Sequence, residues 1–317
     1  MNWGLTIPLP GVGLADHRAI VEELPALGYT DVWSAETNGT DGFTPLALAS
    51  QWAPTLRLGP AIVPVYTRGP GLLAQQAATI ADLAPGKFVL GIGTSSDTIV
   101  ERWNGIPFTE PYAKVRDTLR FLRRALAGEK VTDEALGVKG FKLESAPAVA
   151  PGIALAALRP GMLKLAAREA DAAITNWLAP HDVPTIRAAF DAEKELIARI
   201  FVIPTDDAEE ARNLGRWLIA AYMNVPVYRA FHEWLGRGDA LRPMNEAWAA
   251  GDRQAALKSI PDEVVDDLIV HGSADACRDR IKEYVANGLT TPVLALLPNT
   301  QLNGLEAVRA VAPVKLG

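Results

Sequence analysis

The sequence predicts an α/β fold of the (β/α)8 TIM-barrel class with a helical insertion between strands seven and eight. Three observations carry this. Short apolar runs alternate with stretches whose apolar residues recur at helical spacing, the pattern of parallel strands joined by helices. Runs such as Lys87 to Ile92 are nearly continuous in apolar residues, as strands covered on both faces must be. The chain has 317 residues, enough for a barrel of about 250 residues plus an insertion. It reads as one domain over 1–317, with 204–273 as the helical insertion.

The first strand is Trp3 to Ile7. Asp16 suits the N-cap of the helix that follows, and Gly28 suits its left-handed end. The second strand is Thr30 to Ser34. Leu46, Leu48, Ala49 and Trp52 mark a helix before the third strand, Leu56 to Val63. The next helix starts near Gly71 and stops before Pro85 and Gly86, and the fourth strand follows at Lys87 to Ile92. A long connection carries a helix from Pro111 to Ala127, with Val115, Leu119, Leu122 and Leu126 on one face. Strand five is Gly152 to Ala157, with a helix over Gly161 to Ala170. Strand six is Ala172 to Asn176, with a helix over Val183 to Ala198. Strand seven is Arg199 to Ile203. Helical periodicity then fills Pro204 to Thr291, including a helix from Ala274 to Asn287. The last strand is Pro292 to Leu297, with a closing helix near Leu302 to Val311. An open doubly wound sheet would need a glycine-rich fingerprint after strand one. Pro10 to Asp16 lacks its third glycine, which favours the closed barrel.

Composition excludes several classes. The chain is 49% hydrophobic and 21% charged with net charge −6, and its basic residues form no tract for nucleic acid or an anionic membrane. No apolar window reaches the ~18 residues of a spanning helix, and the first residues lack the basic start of a signal peptide. The reading places the chain in the cytoplasm. Cys277 is the only cysteine and reads as a packed, inert thiol. The four histidines, His17, His181, His232 and His271, have no metal-ligand spacing, so no metal is expected.

In a barrel, function collects in the loops after the strands. Glu36 follows strand two, where a carboxylate can act as acid, hydrogen-bond partner or cofactor anchor. Asn38 to Gly42 read as a turn. Arg68 follows strand three and either binds an anion or pins its loop through a carboxylate. After strand four, Gly93, Thr94 and Ser95 let backbone approach a ligand and supply donors. After strand five, Leu158, Arg159, Pro160 and Gly161 open a helix whose first amides suit a phosphate. Asn176 and Trp177 end strand six. Together these suggest a phosphate-bearing, flavin-like cofactor.

Four runs resemble a known group: LGYTDVWSAET (27–37), LGPAIVPVYTRGP (58–70), LAPGKFVLGIGTS (83–95) and WNGIPF (103–108). They are similar to the bacterial luciferase-like superfamily, specifically its deazaflavin (coenzyme F420)-dependent oxidoreductases. The resemblance runs from Trp3 to Leu178 and more thinly to the end. It implies a (β/α)8 barrel with a long insertion near strand seven. It implies Glu36 beside the deazaflavin ring as the catalytic-site acid, and a non-proline cis peptide at Ala61–Ile62 behind the ring. It further implies Gly93, Thr94 and Ser95 on the ribityl-phosphate side. Leu158, Arg159, Pro160 and Gly161 would hold the phosphate, and Asn176 would face the ring. The chemistry implied is hydride transfer at the deazaflavin C5 to or from a small organic substrate. Thr37 stands where several members have a histidine that serves alcohol oxidation, which favours reduction of an activated double bond or imine. Leu158-Arg159 stands where some members have two glycines, so the phosphate contacts differ in detail. Two other readings remain open: an FMN-dependent luciferase-like monooxygenase, and a non-catalytic flavin-binding protein. The insertion, with Met223, Tyr228, Phe231 and Trp234, either covers the pocket or makes a subunit contact, which would give a homodimer.

Overall fold

The computed structural model describes residues 1–190 and 193–316. The barrel strands, in chain order, are β1 (Gly4–Ile7), β2 (Asp31–Ser34), β3 (Arg57–Pro60), β4 (Val63–Pro64) and β5 (Val89–Gly93). A hairpin follows, β6 (Val131–Asp133) and β7 (Val138–Phe141). Then come β8 (Gly152–Ala156), β9 (Ala172–Asn176), β10 (Glu195–Pro204), β11 (Ile269–Gly272) and β12 (Thr291–Leu296). The helices are α1 (His17–Glu23), α2 (Thr44–Trp52), α3 (Pro70–Leu83), α4 (Pro111–Leu126), α5 (Pro160–Glu169) and α6 (Val183–Ala189). The insertion contributes α7 (Ala208–Met223), α8 (Pro226–Trp234), α9 (Gly238–Ala249), α10 (Arg253–Lys258) and α11 (Asp262–Leu268). The last two are α12 (Ala274–Ala286) and α13 (Gly304–Ala310). No helix among the described residues is long and apolar enough to cross a membrane.

The main sheet is parallel and runs β3-β2-β1-β12-β10-β9-β8-β5-β4. β3 and β4 are two halves of one barrel strand, parted at Ala61–Ile62, a cis peptide bond. A parallel bridge from Leu58 to Phe88 joins the two edges, so the sheet closes into the expected barrel.

Side chains alternate between the helix-facing side and the interior. Trp33, Ala154, Ala172, Ile174, Ile197 and Val293 form the interior cluster. Trp33 is its largest member and is fully buried. Gly4 makes room for it: a Cβ there would lie 2.7 Å from Trp33 Cδ1. At the amino end of the strands, Arg57 Nη1 and Nη2 donate to both oxygens of Glu195 at 2.8 and 2.7 Å. Arg57 Nε and Nη2 also donate to Asp31 Oδ2, the former at 3.0 Å. This cluster plugs the floor of the barrel.

Several expectations need correction. The helix read over Val183 to Ala198 ends at Ala189, and β10 already begins at Glu195. Apolar Leu196, Ile197 and Ala198 are buried as parts of a ten-residue strand. Residues 191–192 of that reading lie outside the described residues. The insertion is not helical throughout, because β11 pairs with Phe201 to Pro204. The connection after β5 holds the β6–β7 hairpin as well as α4. Asp16 makes no side-chain cap for α1, since it closes a short 3-10 turn with its backbone already helical. Gly28 does adopt the left-handed conformation, with φ 85°.

Candidate functional site at the carboxyl rim of the barrel

Glu36 lies two residues beyond β2 and is held from two sides. Arg68 Nη2 donates to its Oε2 at 2.6 Å and Arg68 Nη1 donates to Oε1. Gly42 N donates to Oε2 at 2.7 Å. The Arg68 guanidinium also sits over the Phe43 ring, 5.2 Å from its centroid. Of the two roles open to Arg68, pinning its loop through a carboxylate is the one the structure displays. Glu36 thus accepts a bidentate, charge-assisted pair and a backbone amide together. Both side chains are mostly shielded from water. Arg68→Gln is therefore expected to lower stability by about 2 kcal/mol through the unpaired Glu36. Adding Glu36→Gln should restore part of the loss, and urea unfolding of the three variants measures the coupling.

The next strand tip along the rim is that of β5. Gly93 ends β5, and a Cβ on it would come within 2.7 Å of Ala156 Cβ and 3.0 Å of Ile62 Cδ1. Only glycine lets the Ile62 and Ala156 side chains close over the strand tip there. Thr94 is followed by Ser95 with φ 63°, a left-handed turn that redirects the backbone just past the strand tip. Thr94 and Ser95 are partly exposed.

The next strand tip leads into α5. Arg159 is its N-cap, with extended backbone (φ −120°, ψ 164°) and no side-chain cap. Pro160 is the first helical residue, where a missing N–H costs nothing. A Cβ at Gly161 would meet nothing within 4 Å. The first turn of α5 thus has no side-chain cap, and the space beside Gly161 is open, an arrangement suited to an anion. Leu158 is half-buried and packs against the core, while Arg159 is exposed.

Asn176 ends β9 and stands in register with Arg199 of β10. Its Nδ2 donates to Tyr228 Oη of α8 at 3.2 Å. Trp177, with φ 55°, is buried against Phe201 and Tyr222, with ring centroids 4.3 and 4.9 Å away. Tyr222 stacks edge-on to Tyr228 at 5.3 Å. The insertion is therefore seated on the tips of β9 and β10. It covers that side of the mouth.

These groups share one rim. Gly93 connects Ile62 to Ala156, two residues before Leu158, and Glu36 is tied by Arg68 to the loop after β4. Arg199 belongs to the same rim and was hidden from sequence reading. Beginning strand seven at Arg199 concealed the alternation Glu195, Ile197, Arg199, Phe201 that turns it inward. The histidines are absorbed in packing where they are buried: His17 Nε2 accepts from Leu9 N at 2.7 Å. Burial lowers the His232 pKa to about 3, so it stays neutral. Cys277 is fully buried, and burial pushes its thiol up to about 12. Native protein should resist aromatic disulfide reagents and release one equivalent of chromophore only on unfolding.

A closed parallel barrel, with glycine, an uncapped helix start and a shielded ion pair at the carboxyl ends of its strands, defines a TIM-barrel protein. The chain belongs to the luciferase-like monooxygenase family, whose profile matches residues 4–291. It is 26% identical to a Mycobacterium tuberculosis protein carried under the name of a coenzyme F420-dependent oxidoreductase, over 96% of each chain. It is 27% identical to a 5,10-methylenetetrahydromethanopterin reductase of Archaeoglobus fulgidus, over 84% of this chain and 85% of that one. The fold matches that of a coenzyme F420-dependent tetrahydromethanopterin reductase from Methanopyrus kandleri. The TM-score there is 0.76 at 21% identity, over 98% of this chain and 97% of that one.

Proposed function

We propose that the chain is a coenzyme F420-dependent oxidoreductase moving a hydride between the deazaflavin C5 and a small organic substrate. The observation that carries this reading is the wall made by Gly93 beside Ile62 and Ala156, with the uncapped amides of α5 next to it. Such a wall admits a flat ring system against backbone and leaves a place for its phosphate. When bound, the deazaflavin supplies a two-electron carrier that reacts at carbon.

The chain's own residues supply the rest. Gly161 and Met162 amides would bind the phosphate, with Arg159 adding charge from the exposed side. Gly93, Thr94 and Ser95 would bind the polyhydroxylated linker. Ala61 and Ile62 would back the ring, and Asn176 would hydrogen-bond on its other flank. Glu36 and Arg68 would fix the loops after β2 and β4 so that the mouth keeps its shape. The seated insertion excludes water from the β9–β10 side, which strengthens polar contacts within. Thr37 offers no imidazole to accept a proton from an alcohol, which supports reduction of an activated double bond or imine.

Titration of purified protein with oxidised deazaflavin and, separately, FMN tests the reading. Deazaflavin binding, followed by oxidation of the reduced form on adding an activated alkene or imine, is the expected outcome. Tight FMN binding with none for the deazaflavin would move the chain to the monooxygenases. Deazaflavin binding without turnover over a broad acceptor panel would make it a carrier.

A further inference from the structure

Arg199 is a half-buried charged group at the rim with no counter-ion among the described residues. It lies on β10 two residues after Ile197, a member of the interior cluster, and two before Phe201, so strand alternation turns it inward. Its Nε is buried without a partner, and its guanidinium makes no hydrogen bond or ion pair with any described residue. Its guanidinium lies over the Phe201 ring, 4.9 Å from the centroid. The contrast with its neighbours is direct. Arg57 at the floor meets Asp31 and Glu195, Arg68 at the rim meets Glu36, and Arg237 under the insertion meets Asp182. Arg199 is half-buried, with its Nε enclosed and the tip of its guanidinium open to the mouth, so a stacked ring on one side leaves its donors free for a ligand.

The group beside Arg199 completes the picture. Tyr228 Oη accepts from Asn176 Nδ2, which leaves its own O–H to donate elsewhere. Asn176, which holds Tyr228, is also the register partner of Arg199 on the neighbouring strand, so the three residues share one place on the rim. A guanidinium without a counter-ion among the described residues and a hydroxyl with a spare donor thus lie over the tips of β9 and β10, the phenol oxygen already engaged by Asn176. Their complement is an oxyanion.

We propose that Arg199 and Tyr228, the latter held by Asn176, form a subsite for a carboxylate-class oxyanion on the substrate, beside the cofactor wall. This rests on the functional reading above only in placing that anion on the substrate. The subsite itself stands on the unpaired cation. The same chemistry could come from the anionic ring edge of the cofactor, and the experiment separates the two sources.

Wild type, Arg199→Met and Tyr228→Phe are compared without cofactor, by thermal unfolding in acetate, benzoate or chloride at constant ionic strength. The wild-type Tm should rise with either carboxylate relative to chloride. Arg199→Met should lose that rise while starting from a similar Tm, because the side chain it replaces makes no hydrogen bond or ion pair with the described residues. Tyr228→Phe should keep a rise with about tenfold weaker apparent affinity. Deazaflavin binding, followed by its fluorescence, should change little in Arg199→Met. Absence of carboxylate stabilisation in wild type, or an equal rise in wild type and Arg199→Met, overturns the subsite. A lower starting Tm with unchanged carboxylate response in Arg199→Met would make Arg199 structural. Loss of deazaflavin affinity in Arg199→Met, with no carboxylate effect, would assign the anion to the cofactor and overturn the substrate claim. Failure of wild type to bind deazaflavin at all would sink the proposed function, while the carboxylate titration would still read the subsite.

Discussion

Arg57→Met is expected to cost about 3 kcal/mol or more at neutral pH, because it strands two carboxylates at the barrel floor. Asp31 is almost fully buried, and its Oδ1 has no partner even in the native cluster. Burial pushes the Asp31 carboxyl upward, and the Arg57 hydrogen bonds only partly offset this. Burial also opposes Glu195 ionisation. There, however, hydrogen bonds from Arg57, its charge, and further bonds from Thr291 and Asn2 prevail, so Glu195 lies below the ordinary glutamate value. The sign of the pH dependence follows. In the wild type, the depressed Glu195 contributes stability above the unfolded glutamate pKa, about 4.3, and loses it as pH falls through its folded value. The raised Asp31 works the other way, contributing below the unfolded aspartate pKa and losing that as pH rises. Without Arg57 both carboxyls are raised, so the variant's deficit should be largest near neutrality and shrink on acidification. Urea unfolding across the carboxylate range reads this directly. A deficit independent of pH, or one that grows on acidification, would remove the ion cluster as its cause.

Gly91→Ala is expected to be equally severe for a different reason. Gly91 is the middle residue of β5, and a Cβ there would fall inside the van der Waals shell of the Pro60 carbonyl oxygen and 2.8 Å from Ile174 Cδ1. Pro60 O is backbone, so no rotamer change relieves the clash. Relief requires β3 and β5 to separate where the Leu58–Phe88 bridge closes the ring. Overpacking of a well-filled interior costs about 1–3 kcal/mol, and a backbone collision belongs at or above the upper end. Poor soluble yield, or a thermal transition far below wild type, is the expected result. An unchanged transition would mean that the two strands part at little cost.

Much of the barrel was legible because parallel strands announce themselves. Gly152 to Ala157 and Ala172 to Asn176 are short apolar runs bounded by turn residues, and each is a strand within a residue of its reading. The Ala61–Ile62 cis peptide lies where the family resemblance placed it. Less legible was every element whose partner lies far along the chain. Glu195 to Ala198 read as the tail of a helix because Leu196 and Ile197 fit either period. The deciding fact, Glu195 meeting an arginine 138 residues away, is tertiary. β11 was missed for the same reason, since Ile269 and Val270 form a strand only against β10. The rim residues were found by position after their strands. Their partners were not, because an ion pair such as Glu36–Arg68 leaves no periodic trace. Arg199 needed the correct start of β10 before its inward direction could be seen.

β11 has a mechanical implication. It runs alongside Phe201 to Pro204 on the flank of β10 that β9 no longer occupies, and Thr205 bridges to Gly272 beyond it. The inserted helices are thus stitched to the barrel wall by main-chain ladder, and cannot swing clear like a hinged flap without unzipping that seam. On the opposite quadrant the loops after β2 and β4 are joined by the Glu36–Arg68 side-chain pair, which can loosen without breaking any main-chain ladder.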